Sequence, residues 1–73
     1  MNVTDPASTV GLRVAKILQD RGIPQARVGE VLGIAQSQVS RRLSGEIAFD
    51  ISELAALGEY LAIPLGELLD VAA

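Results

Sequence analysis

The chain has no cysteine, so disulfides and thiolate metal sites are excluded. It has no histidine, which removes the commonest general base and the commonest metal ligand. It has no tryptophan, one tyrosine and one phenylalanine, so aliphatic side chains must supply most of any core. No apolar run approaches the length that crosses a bilayer, and no basic segment followed by an apolar run opens the chain. A soluble cytoplasmic protein without a membrane partner is the expectation. Nothing basic stands after position 42. Six cations and three acids fall within residues 1–45, for a net +3, and six acids without a cation fill residues 46–73, for a net −6. The total of −3 therefore conceals a basic half that can approach polyanions and an acidic half that cannot.

Seventy-three residues make one domain with a small core, and a chain this short is marginally stable alone. Residues 1–5 read as a flexible N-terminal arm and residues 6–73 as the domain. Asp5-Pro6 has the form of an N-cap followed by the first helical position. Ala7, Val10, Val14, Ile17 and Leu18 then share one helical face, and Gly22 and Pro24 stop the helix near Arg21. Gly11 inside it is expected to be a mild local cost. Asp50-Ile-Ser-Glu53 fits a capping box that opens an apolar helix through Ile51, Leu54, Ala55, Leu57, Leu61 and Ala62. Either Ile47 or Phe49 is expected to tuck under the core from the loop before it. Leu65 to Val71 reads as a short last helix whose Leu65, Leu68 and Leu69 serve core, interface or both. The pattern gives an all-α chain of five helices with no strand, repeat or linker.

The informative stretch is Gln25 to Gly45. A helix through Val28 and Leu32 is broken by Gly33, and a second helix runs from about Gln36 to Ser44. Ile34 plugs the corner between them. Gly29 either permits a close helix crossing or is a tolerated surface glycine. At about 100° per residue, Ser37, Ser40, Arg41 and Ser44 share one side of the second helix, with Gln36 and Gln38 flanking it. Only Val39 and Leu43 point toward a core. A helix with so few apolar anchors is peripheral or is kept for contact with something polar. Two short helices around a glycine turn, the second polar, form the pattern of a helix-turn-helix that places its second helix in the major groove.

From Gly22 to Gly45 the chain resembles the Cro/repressor-type helix-turn-helix family. The residues that carry the resemblance are Gly22-Ile23-Pro24-Gln25, Val28-Gly29, Leu32-Gly33-Ile34, Gln36-Ser37, Val39-Ser40-Arg41 and Gly45. Glu53-Leu54, Leu57-Gly58 and Ile63 to Leu69 extend it across the later helices. The chain departs from the family pattern at Pro24, where a Ser, Thr or Asn cap is usual, at Gly29, where Ala is more frequent, and at Arg42, often an apolar position. The resemblance implies a compact, five-helix, lambda-repressor-like DNA-binding domain. It also implies a phosphate contact for Gln25 and base readout by Gln36.

Side-chain chemistry extends these assignments. A glutamine amide matches adenine N6 and N7, and a guanidinium matches guanine O6 and N7, which makes Arg41 a second base reader. Ser37 and Gln38 stand beside them as further base-reading candidates. Arg27, Ser40, Arg42 and Ser44 are phosphate candidates, which position without specifying. Arg42 has an equal alternative, a salt bridge to Glu46 at i, i+4. Arg13 and Lys16 read as solvated surface.

No catalytic constellation is present, and scattered carboxylates without His, Cys or a glycine-rich phosphate loop make no metal or cofactor site. No small-molecule effector is indicated. The expected partners are double-stranded DNA and a second copy, at least on DNA, as a weak homodimer. The expected role is a transcriptional repressor acting on a pseudo-palindromic operator. The alternatives are a protein-interaction module of the same fold, such as an antitoxin or partner-binding domain, and the N-terminal DNA-binding part of a longer regulator.

Overall fold

A computed structural model describes residues 6–69, and side chains from residue 9 onward. Five helices follow one another, with no strand among the described residues: α1 (Pro6–Arg21), α2 (Gln25–Leu32), α3 (Gln36–Leu43), α4 (Ile51–Leu61) and α5 (Leu65–Leu69). The all-α, five-helix architecture expected from the pattern is present. The arm at 1–5, the cap at Asp5 and the end of the last helix at Val71 lie outside the described residues.

The apolar positions converge on one core. Val14 and Leu18 from α1, Val28 from α2, Val39 and Leu43 from α3, Leu54, Leu57 and Leu61 from α4, and Leu68 from α5 are all buried. Phe49, 8 % exposed, joins them from the loop, so it is the residue that tucks under the core. Removing this apolar surface from water, at ~25 cal/mol per Å2, is the main force holding five short helices together. Ile51 departs from expectation. It stands first in α4, beside the capping residue, and remains 63 % exposed because that corner faces outward.

The helix ends are built as their residues suggest. Asp50 caps α4 by accepting from the Glu53 N–H at 2.7 Å, and the Glu53 carboxylate accepts from the Asp50 N–H at 3.0 Å. After α1, α2 and α4 the chain turns the same way each time. The N–H of an isoleucine reaches back to a carbonyl five residues earlier: Ile23 to Leu18, Ile34 to Gly29 and Ile63 to Gly58, at 2.9, 3.1 and 2.9 Å. Each isoleucine follows a left-handed residue, Gly22, Gly33 or Ala62. The last two turns share a short sequence, Gly-Glu-x-Leu at 29–32 and at 58–61, followed by the left-handed residue and isoleucine. The turn between α2 and α3 is thus echoed by the turn between α4 and α5, a short repeat that corrects the reading of a chain without one.

Three glycines, Gly11, Gly29 and Gly58, fit where no side chain can. A Cβ on Gly29 would stand 2.9 Å from the Ile34 carbonyl oxygen, so this glycine makes room for its own turn as well as for Val39 of α3. The tightest helix crossing lies instead at Gly11. A Cβ there would stand 2.3 Å from the Arg42 carbonyl oxygen. Gly11 is buried against the end of α3, which corrects its reading as a mild local cost.

Ala62 is the one non-glycine described residue with positive φ, at 58°. That conformation costs an L-residue about 1–2 kcal/mol, and part of this is recovered in glycine despite its freer unfolded state. Ala62→Gly is expected to stabilise the domain by about 0.5–1 kcal/mol and raise the thermal midpoint by roughly 2–8 °C. Circular dichroism melting checks this; an unchanged or lower midpoint would show that the turn is not strained.

Candidate nucleic-acid interface

The starts of α2 and α3 lie side by side. The Gln36 amide nitrogen donates to the Gln25 side-chain oxygen at 3.2 Å, across eleven residues of sequence. Neither helix has a side-chain cap, because Pro24 and Ala35 occupy the two N-cap positions. Neither has an acidic residue in its first turn. Two neighbouring helix starts therefore offer free backbone N–H groups and the positive ends of two helix dipoles, with no carboxylate in either first turn. This is a favourable setting for an anion such as a backbone phosphate.

The pairing leaves Gln36 well equipped. One N–H is used on Gln25, and the second N–H and the carbonyl oxygen remain, which is the pair an adenine edge requires. Ser37, Ser40 and Arg41 are exposed on the same helix. Among the described residues, the Arg41 guanidinium makes no hydrogen bond or ion pair. Ser44 is exposed but occupied: its hydroxyl donates to the Arg41 carbonyl at 3.0 Å and accepts from the Glu46 N–H at 3.4 Å, closing the end of α3.

The other cations are committed in different ways. Arg27 pairs with Glu30 at 2.9 Å, both more than half exposed, an arrangement worth little and readily exchanged for a phosphate. Lys16 pairs with Asp20 at 3.4 Å on the outer face of α1. Arg13 donates to the Glu67 carbonyl at 3.1 Å, so it ties α1 to α5 rather than standing free in solvent. Arg21 donates to the Leu61 carbonyl at 2.6 Å and compensates the negative end of the α4 dipole.

Arg42 lies elsewhere than its neighbour. Its Nε donates to Glu53 Oε1 at 3.1 Å, and both side chains are only 15 % exposed. Its Nη1 donates to the main-chain and side-chain oxygens of Gln38, each at 3.1 Å. The partner is therefore Glu53 on α4 and not Glu46, because the turn after α3 carries Glu46 away while the α4 capping box brings Glu53 in. A guanidinium held this way is poorly placed as a phosphate clamp. Gln38 is half-buried, and its oxygen is engaged by Arg42.

Sequence reasoning placed Gln25, Gln36, Ser37 and Arg41 on neighbouring surfaces without their mutual geometry. It missed the link from Gln38 through Arg42 to Glu53. The available signal was a charged residue at a position usually apolar in the Cro/repressor-type pattern the chain resembles, which in a folded core demands a partner.

The chain matches the family model described as the BetR domain over residues 5–73, and it belongs to that family of small helical domains. Comparisons with curated proteins and with solved structures produced no match. Among the described residues, no cluster of His, Cys, Asp and Glu could hold a metal ion, and no helix is long and apolar enough to cross a membrane.

Proposed function

We propose that this domain is a sequence-specific DNA-binding transcriptional regulator, acting as a Cro-type repressor with α3 in the major groove. The observation that carries the reading is the Gln25–Gln36 pair. It joins a helix start suited to phosphate to a residue suited to reading a base, so register on the backbone and readout of the edge are coupled. Gln36, Ser37 and Arg41 read bases. Gln25, Arg27 and Ser40 position the domain on phosphate, with Ser44 at the rim. Two copies, associating weakly, occupy half-sites about one helical turn apart, and repression follows from blocking a promoter.

Selection of bound duplexes from a random pool tests this directly. Enrichment of a two-fold-related site is expected, and a pool that stays random would overturn the reading. Arg27→Ala is expected to weaken binding to every sequence by a similar factor and to lower the slope of log K against log salt by about 1. Titrations from low to moderate salt measure both.

A second reading has one observation in its favour. Ile51, Tyr60 and Leu69 are exposed on α4 and α5, the half without a single cation. In a partner-binding module that acidic and apolar half would be the working surface. The absence of any gel shift at low salt favours it.

A further inference from the structure

Gln38 carries an inference that rests on the DNA-binding reading and goes further into it. Glutamine is ordinarily ambiguous as a reader, because its amide can turn over and present either a donor or an acceptor. At Gln38 that ambiguity is removed by its neighbour. The Arg42 Nη1 lies 3.1 Å from the Gln38 side-chain oxygen. A guanidinium has donors and no acceptor, so only the amide oxygen can face it. The amide nitrogen, on the other branch of the same planar group, is then turned away from Arg42, and no acceptor among the described residues meets it.

Arg42 is not free to release this orientation. Its Nε is held by Glu53 Oε1 with both side chains largely buried. The same carboxylate oxygen accepts from the Asp50 N–H at the start of α4. Turning the Gln38 amide over would set an N–H against the guanidinium and leave a partly buried donor without an acceptor, which is unfavourable. The α4 cap thus reaches through Glu53 and Arg42 to the first turn of α3.

We infer that Gln38 is a specificity-determining residue whose outward face is a pure hydrogen-bond donor, and that Arg42 is the positioning residue that makes it so. A donor-only group in the major groove suits guanine, whose edge offers two acceptors, N7 and O6. It does not suit the exocyclic amine of cytosine. It also forgoes the bidentate adenine pairing that needs the amide oxygen. Gln36 and Gln38, chemically identical and two residues apart, therefore read different bases: the Gln36 oxygen is unengaged, whereas the Gln38 oxygen is directed at Arg42.

The test uses random-pool selection on the wild-type chain, Gln38→Glu and Arg42→Met. The wild-type site should contain one base pair per half-site at which guanine is preferred and which only changes at Gln38 or Arg42 alter. Gln38→Glu keeps an oxygen toward Arg42 and presents an oxygen outward, so the preference at that base pair should move from guanine to cytosine. Arg42→Met fills the same space without a donor and frees the amide, so guanine-over-adenine discrimination there should fall about tenfold. A preference unchanged in Gln38→Glu, or a loss spread evenly over all sequences as for a phosphate contact, overturns the inference. Gln38→Glu decides the matter even if Arg42→Met folds poorly. A wild-type pool that never enriches a site refutes the DNA-binding reading itself, an outcome distinct from an enriched site that ignores Gln38.

Discussion

Gly11→Ala is expected to destabilise the domain by about 3 kcal/mol, at the upper end of what overpacking a core costs. The new methyl carbon would stand 2.3 Å from the Arg42 carbonyl oxygen and 3.2 Å from the Gly45 nitrogen and the Leu43 carbonyl oxygen. All three are main-chain atoms at the end of α3. None can rotate aside as a side chain would, so α1 and α3 must separate. The better helix propensity of alanine, worth about 1 kcal/mol, offsets only part of this. A domain of this length has about 4–11 kcal/mol of total stability, so the loss is a large share. The thermal midpoint should fall by roughly 12–24 °C. Gly66→Ala provides the contrast. It also lies in a helix, but a Cβ there meets nothing within 4 Å, and the change should be neutral or stabilising. Melting curves for the two variants separate steric exclusion from helix propensity; equal midpoints would refute the close crossing.

The second large effect concerns DNA. Gln36→Ala and Arg41→Ala should each weaken binding to the selected site by about 1–3 kcal/mol while changing binding to random duplex much less. Each should also relax preference at the base pair it contacts. Gln36→Ala has an added consequence, because it takes away the donor that holds the Gln25 oxygen. The double variant Gln25→Ala/Gln36→Ala should therefore lose less than the two single losses added together. Anisotropy titrations on specific and random duplexes measure all of these. Equal losses on both duplexes would remove Gln36 and Arg41 from the base-reading set.

What was legible in the sequence was what short-range chemistry determines. The end of α1 at Gly22, the glycine turn at Gly33 and the capping box at Asp50 and Glu53 each depend on residues a few positions apart. The apolar spacing found Val14, Leu18, Val28, Val39 and Leu43 because helical periodicity is itself local. What was not legible depended on distant partners. Gly11 looked like a small defect in a helix because the carbonyl that excludes its side chain belongs to Arg42. Arg42 offered Glu46 as a partner four positions on, yet the ion pair forms with Glu53 across the turn. The periodicity counted Ile51 with the apolar face of α4, although its place in the first turn sets it at an outward corner. In the candidate site, the residue types and the face of α3 were readable, whereas which of them hold one another was not.

The three turns that end α1, α2 and α4 have a bearing on how such a domain can change its target. Each is closed by main-chain hydrogen bonds, and the close approaches at Gly11, Gly29 and Gly58 are to main-chain oxygens. The frame is thus specified by atoms that every residue possesses, together with a few positions where a side chain is excluded. The exposed side chains of Gln36, Ser37, Ser40 and Arg41 on α3 take no part in it. Under the DNA-binding reading, those four positions can be rewritten to address a new operator while the scaffold keeps its shape. Gln38 is the exception, since its setting is borrowed from α4, and retargeting through it requires changes in two helices at once.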